Sequence, residues 1–336
     1  MGKINGNKCI KRTLLNMKYI LILFNFYLFA NFSGGFPGSS FNYGTNAREI
    51  SLSNSIVSSY NKGFVAFNNP ALLPKINNNE YGFSYFLMSL DRSIQSISIS
   101  RPLPPSAGVG LSFYRVGINN IVETSSSFGS EIGTLNCSQG FGMLSFGIDL
   151  GSLSAGFNFK ALFNDMDIYK SESSLGFDFG FLYEVNNNIN LGFKINNLSS
   201  SFDWEINYLN QSQAELYEEE IPLNYMLGLS YNIPNKLLFS TQVDYLTIKD
   251  NLDLTNHLYS KYKIGIEYHL ISDSFDYPII LRGGLNSMNN DLEYTLGFGI
   301  PIKINNSMVL NIDYALDPGL VDEGISHLFS FSLLNY

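Results

Sequence analysis

Apolar and polar side chains alternate with a period of two over most of this chain, from about residue 79 to the end. Among regular structures only an extended strand has that period. In one segment Leu153, Ala155, Phe157, Phe159, Ala161 and Phe163 share a face, and Ser154, Gly156, Asn158 and Lys160 share the other. In the next, Leu175, Phe177, Phe179, Phe181, Tyr183 and Val185 alternate with Gly176, Asp178, Gly180 and Glu184. The same reading places fourteen such segments between residues 79 and 336. Most run to about 10 residues, the length of a tilted strand that crosses a bilayer.

The connections alternate as well. Those at Leu150-Gly151, Asn186-Asn187, Pro234-Asn235 and Ile304-Asn305 are tight, whereas 117–137, 164–173, 199–221, 249–258 and 317–325 are long. Short turns at one end and long loops at the other, with an even strand count, are the pattern of outer-membrane barrels. In lipid every backbone N–H and C=O needs a partner, and a closed barrel supplies one for each. Composition agrees. The chain is 45% hydrophobic and only 15% charged, where soluble domains carry about 25% charged residues. A soluble β-sandwich or propeller also alternates, but has no reason for alternating loop lengths. The expectation is therefore an all-β, transmembrane outer-membrane barrel of about fourteen antiparallel strands over 79–336, in contact with outer-membrane lipid.

Residues 1–35 read as a secretory signal peptide. Lys3, Lys8, Lys11, Arg12 and Lys18 precede an apolar run from Tyr19 to Ala30, the length of a signal core and too short for an anchor helix. Met17 stands as a second candidate start. Five of the 20 basic residues and none of the 29 acidic ones lie in this segment, leaving a formal charge of −14 beyond it. Nucleic acid, which needs a basic patch, is excluded as a partner. Cys9 leaves with the signal and Cys137 remains alone, so no internal disulfide is expected.

Residues 36–78 have no clean alternation and contain Asn68-Asn-Pro-Ala-Leu-Leu-Pro74, where two prolines break regular structure. A short helix with irregular chain fits, as a hatch that plugs the lumen, sits below it, or stays disordered. Gly44-Thr-Asn-Ala-Arg48, Phe67-Asn-Asn-Pro-Ala-Leu72, Ala107-Gly-Val-Gly-Leu-Ser-Phe-Tyr-Arg-Val-Gly117, Leu281-Arg-Gly-Gly-Leu285 and Leu310-Asn-Ile-Asp-Tyr-Ala315 occur in that order. With Ser326-His-Leu-Phe-Ser-Phe-Ser-Leu333 they make the chain resemble the PorV/PorQ family, itself similar to FadL-type outer-membrane transporters. The resemblance spans residues from about 40 to the end. It implies a fourteen-stranded barrel, an N-terminal hatch, and a hatch motif at Asn69, Pro70 and Ala71. The chain departs from the family in a Ser-rich stretch (Ser51, Ser53, Ser55, Ser58, Ser59) and in Tyr336, one residue out of register with Phe329, Phe331 and Leu333.

Catalytic signals are weak. His257, His269 and His327 lack ligand spacing, Gly151-Ser-Leu-Ser-Ala-Gly156 lacks the spacing of a nucleophile elbow, and no phosphate loop occurs. No enzyme activity, cofactor or metal is expected. Glu267 and His269, two apart on one face, read as lumen wall rather than a proton or metal site. Glu218-Glu-Glu220 reads as a solvated loop in preference to a calcium site. Lys160, Asp178, Glu184, Lys194, Asp244, Lys263, Glu267, Glu293, Lys303 and Asp313 are expected to face the lumen. The loop 199–221 holds the single Trp, Trp204, with Phe202, Ile206, Tyr208 and Leu209. That apolar group either contacts a partner outside the barrel or folds back as a cap.

Two functions follow from the resemblance. A PorV-like barrel serves type IX secretion, receiving secreted proteins by a C-terminal sorting domain together with other secretion components. A FadL-like barrel takes up hydrophobic compounds such as long-chain fatty acids. A scaffold in the outer membrane of a Gram-negative-type bacterium is the third reading.

Overall fold

The computed structural model describes residues 36–89, 91–124, 129–166, 169–172, 174–206, 215–249, 256–270, 278–288, 291–318 and 325–335. The signal region 1–35, Tyr208, Leu209 and Tyr336 lie outside the described residues. The described residues start with 3-10 turns and two short helices, α1 at Ala47–Ser51 and α2 at Val65–Asn68. Strands then follow as β1 Asn79–Leu87, β2 Arg92–Leu103, β3 Ala107–Thr124, β4 Glu131–Asp149, β5 Leu153–Met166, β6 Tyr169–Glu172, β7 Ser174–Asn186, β8 Ile189–Leu198 and β9 Ser201–Ile206. The rest are β10 Glu215–Glu220, β11 Leu223–Ile233, β12 Leu237–Lys249, β13 Asn256–Leu270, β14 Ile279–Met288, β15 Asp291–Asn305, β16 Met308–Asp317 and β17 Ser326–Asn335.

Fourteen of these strands form a closed antiparallel barrel. Closure joins first and last strands, with Phe83 opposite Phe331 and Tyr85 opposite Phe329. The alternation read from the sequence is the wall itself. On β7, Leu175, Phe179, Phe181 and Tyr183 are exposed on the outer face, while Ser174, Asp178 and Leu182 are buried inside. No helix among the described residues is long and apolar enough to cross a membrane.

Two long connections are more ordered than loops. Within 199–221, the described β9 and β10 pair antiparallel as a β9–β10 hairpin, and β6 pairs with β9 to make a small second sheet. Much of 117–137 is strand. Pairing of β3 with β2 stops at Ile118, and pairing of β4 with β5 stops at Ser138. Beyond those points, among the described residues, β3 and β4 pair only with each other, through Ile121 with Leu135 and Val122 with Thr134. The β-branched residues here favour extended chain, so the hairpin continues past the barrel rim as a two-stranded ribbon.

Candidate functional site: the lumen and its outer mouth

Residues 36–78 lie against the inner wall, and local chemistry shapes them. Asn46 caps α1: its side-chain oxygen accepts from Glu49 N at 3.0 Å, and the Glu49 carboxylate accepts from Thr45 N at 2.8 Å. These are reciprocal bonds of the capping-box kind. Asn69 caps the 3-10 turn Pro70–Lys75, with Pro70 at its first position, where the missing N–H costs nothing. The Asn69 amide oxygen accepts from Ala71 N at 3.0 Å. Its Nδ2 donates to Val57 O at 2.9 Å and to the wall carbonyls of Phe181 and Phe193 at 3.2 and 3.4 Å. Asn69, Pro70 and Ala71 are thus a strap that ties the N-terminal segment to β7 and β8.

The wall beneath that strap is a row of glycines. Gly108 stands opposite Gly147, Gly147 opposite Gly156, and Gly156 opposite Gly180, across β3, β4, β5 and β7. The strap crosses this row with its backbone against the wall. A Cβ on Gly156 would lie 2.6 Å from Pro70 O and 2.7 Å from Ala71 N. Gly192, on β8, likewise leaves room for Val57 and Ser58. The Ser-rich stretch seats the opposite side. Ser53 Oγ meets Thr295 Oγ1 at 2.9 Å, Ser55 Oγ meets Ser240 Oγ at 2.8 Å, and Ser230 Oγ donates to Ser58 O at 3.0 Å. Short hydroxyls on both surfaces allow this close approach.

Of the charged residues expected in the lumen, Lys160, Asp178, Lys194, Asp244, Lys263, Glu267 and Asp313 are buried and paired there, whereas Lys303 is exposed beside the tight turn that follows it. Arg48 Nε sits 2.8 Å from Glu267, Arg282 Nε 2.7 Å from Glu267, and Arg282 Nη1 2.7 Å from Asp313. His269 approaches the same Glu267 carboxylate at 3.5 Å. Asp178 lies 2.6 Å from Lys160 and 3.7 Å from Lys194, while Lys194 also donates to Phe67 O at 2.6 Å. Arg48 and the Lys194–Phe67 bond therefore lock the N-terminal segment to the wall through buried charge. At the tight-turn end Lys75 reaches Asp149 at 2.9 Å and Glu184 at 3.0 Å. Burial pulls the Lys75 ammonium down, but the two carboxylates outweigh it and hold it above the usual lysine range.

Between this segment and the barrel end with the long connections lies a cavity of about 550 Å³. Its floor includes Ser40, Asn42, Tyr43 and Asn54, and its walls include Asn224, Lys261, Asn286 and Glu293. Tyr43 donates to the Asp317 carboxylate across it. Burial, then the adjacent Asp317 charge, push the Tyr43 hydroxyl far above the usual tyrosine range, so it stays a donor. Phe202 is fully buried and stacks edge-on against Phe41, 6.2 Å between centroids. It belongs to the core and is not an outward contact, because the β9–β10 hairpin folds inward on that face. Trp204 packs partly buried against the same cluster, its Nε1 donating to Glu219 at 3.1 Å. Ile206 ends β9. Glu218 stands directly opposite Asp203 in this hairpin.

The geometry defines an outer-membrane-type β-barrel with a filled lumen. The sequence matches the family described as "Type IX secretion system membrane protein PorP/SprF" over residues 87–332. The chain belongs to that family, where the motifs had pointed to PorV/PorQ. No curated protein matches it in sequence. Among solved structures it is similar to the Pseudomonas putida toluene transporter TodX, at TM-score 0.60 and 11% identity, covering 88% of this chain and 99% of that one. A TodX deltaS2S3 mutant, described as a monoaromatic hydrocarbon channel, gives TM-score 0.55 at 12% identity, covering 87% and 99%. At such identities the likeness concerns the fold alone.

Proposed function

We propose that this protein is a non-catalytic outer-membrane component of a type IX secretion machine. It handles secreted cargo at its outer rim, the role that the PorV/PorQ resemblance implies, and does not carry cargo through its lumen. The family match supports the first part. The observation that carries the second is the N-terminal segment against the inner wall, its strap on the glycine row and its Arg48 paired with the wall residue Glu267, where a polypeptide crossing the lumen would have to pass. The rim offers the alternative surface. The β3–β4 ribbon exposes Val122 at 50% and Ile132 at 62%, and among the described residues the outer edges of its two strands have no strand partner. Such edges accept a partner strand.

The test is deletion and complementation in the native organism, with recovery of bound proteins from membranes in mild detergent. The proposal expects proteins with a shared C-terminal sorting domain to be retained in the deletion strain and to co-purify with the wild type. The double change Val122→Glu and Ile132→Glu is expected to lower that recovery while the barrel still assembles. Unchanged secretion in the deletion strain overturns the proposal. Uptake of hydrophobic compounds is the second reading, favoured by the TodX-like fold and the outer cavity. Charged side chains in that cavity weigh against an apolar solute, since an apolar ligand cannot replace their water. Binding of oleate or toluene that weakens on changing Asn69 or Pro70 would establish it.

A further inference from the structure

The wall closes where its first strand meets its last, and the N-terminal segment sits on the inner face of that seam. Ser84 of β1 stands directly opposite Ser330 of β17, Gly82 opposite Ser332, and Glu80 opposite Leu334. All six are buried. Thr45 O accepts from Ser84 Oγ and from Ser96 Oγ of β2, each at 2.6 Å. Two residues on, Ala47 N donates to Ser330 Oγ at 3.1 Å. Ala47 is the first residue of α1, so its N–H has no partner within the helix. One short stretch thus holds both members of the Ser84–Ser330 pair. Gly63 straddles the neighbouring pairs. Its N donates at 2.7 Å to the Glu80 carboxylate, which also accepts from the Tyr60 hydroxyl at 2.5 Å. A Cβ on Gly63 would lie 2.6 Å from Ser332 Cβ, and one on Gly82 would lie 2.4 Å from Gly63 O. Further along, Phe86 and the opposing Leu328 share one buried cluster with Ala47 and Phe64.

The outer face of the seam does not set its own register. Tyr81, Phe83 and Tyr85 oppose Leu333, Phe331 and Phe329. A slip of two residues keeps every side chain on its face and still sets large apolar groups against each other. The inner face discriminates. Slipped one way, Ser84 meets Leu328, and Ala47 N loses its hydroxyl acceptor. Slipped the other way, Leu334 replaces Ser332 against Gly63, where an added carbon on Gly63 already finds no room. The seam also joins the first and last strands of the barrel. Pairing of segments so distant in sequence closes a long loop before any contact rewards it, and is slow.

We propose that the N-terminal segment is the closing clamp of the barrel. It seats on β1 and β2 through Thr45 and Gly63, and it presents Ala47 N and the Gly63 backbone as the template on which β17 docks in register. A seam that parts in lipid leaves two strand edges with unpaired backbone groups, and the clamp prevents this from the inside. This role belongs to assembly of the barrel and is independent of cargo handling at the rim.

The experiment follows closure of the full chain as it refolds from urea into lauryldimethylamine oxide, by disulfide crosslinking at timed intervals. The background is Cys9→Ser, Cys137→Ser. Phe83→Cys with Phe331→Cys reports the seam in register. Phe239→Cys with Ile266→Cys reports pairing of β12 with β13, away from the seam. Ser330→Val and Gly63→Val are the perturbing variants. Each is expected to slow the seam crosslink by about tenfold, which is about 1.4 kcal/mol in the barrier to closure, while the β12–β13 crosslink forms at the wild-type rate. Ser112→Ala is the control. It removes a bond of the wall to itself, Ser98 Oγ to Ser112 Oγ at 3.0 Å, and is expected to leave both rates unchanged. Seam crosslinking at the wild-type rate in either perturbing variant overturns the proposal. Equal slowing of both crosslinks overturns it too, because the variants then impair the whole barrel and not its closure.

Discussion

The glycine row makes a sharp prediction. Gly147 and Gly156 face each other across β4 and β5, and both lie under Pro70. In the double variant Gly147→Ala, Gly156→Ala, the new methyl at 156 falls 2.6 Å from Pro70 O and 2.7 Å from Ala71 N. Ordinary contact begins at 3.4 Å, and the nearest strap atoms, Pro70 C for Gly156 and Pro70 O for Gly147, would lie at 2.4 Å, so the strap must retreat by roughly 1 Å, and backbone on both sides resists. That retreat carries the Asn69 bonds to Phe181 O and Phe193 O, now 3.2 and 3.4 Å, out of range. Overpacking costs about 1–3 kcal/mol, and each lost bond about 1 kcal/mol. The seating of the strap is thus weakened by about 3–5 kcal/mol. The wild type should be closed in planar bilayers and the variant should conduct. Cells carrying it should become sensitive to vancomycin, and the barrel should unfold in detergent at a lower temperature. Gly142→Ala is the control, because a Cβ there meets nothing within 4 Å on the same strand β4. If the double variant matches this control in both conductance and unfolding, the strap is not seated on the glycine row.

Three further outcomes follow from the buried charges and the mouth. Asp178→Asn leaves Lys160 and Lys194 facing each other without their anion, and should cost about 3–5 kcal/mol. A detergent unfolding midpoint equal to wild type would refute that. Lys75→Met should cost no more than about 1 kcal/mol at neutral pH, since the pair is partly solvated. Because folding raises the Lys75 pKa, its contribution is complete below the unfolded lysine value and disappears as pH rises through the folded one. The variant and wild type should therefore converge in stability in strong alkali, and a gap that widens there is the contrary result. Tyr43→Phe removes the donor to Asp317 and should destabilise by about 1–3 kcal/mol, measured by the same melt; an unchanged midpoint would mean the contact contributes nothing.

The barrel was legible because its evidence is local. Alternation in Leu153–Phe163 or Leu175–Val185 needs only neighbouring residues, and the asymmetry between turns such as Asn186-Asn187 and connections such as 199–221 needs only their lengths. The inner-face assignment of Lys160, Asp178, Lys194, Glu267 and Asp313 followed from the same parity, and the structure pairs them. Phe202 was less legible. Whether a loop aromatic turns in or out depends on a hairpin whose partner strand lies more than ten residues away, at Glu215–Glu220. The family resolved to PorP/SprF where the motifs had pointed to PorV/PorQ, since short motifs shared among related barrels separate them poorly.

The seating of the N-terminal segment was the least legible, for a physical reason. Gly108, Gly147, Gly156 and Gly180 sit at unrelated spacings in the sequence and become one row only when three strand pairs are in register. Taken singly, each is a glycine that weakens a strand by offering no side chain to pack. Their joint value is a shallow trench that admits backbone, and the strap Asn69–Leu73 is the backbone that fills it. The Ser-rich stretch obeys the same logic from the other surface: Ser53 and Ser55 are small enough to approach and polar enough to bond Thr295 and Ser240 once there. A lumen meant to open and close over a loosely held hatch would not need glycine on one surface and serine on both. Matching small residues against backbone is the chemistry of a permanent joint, and a permanent joint in the lumen is what the proposed work at the outer rim requires.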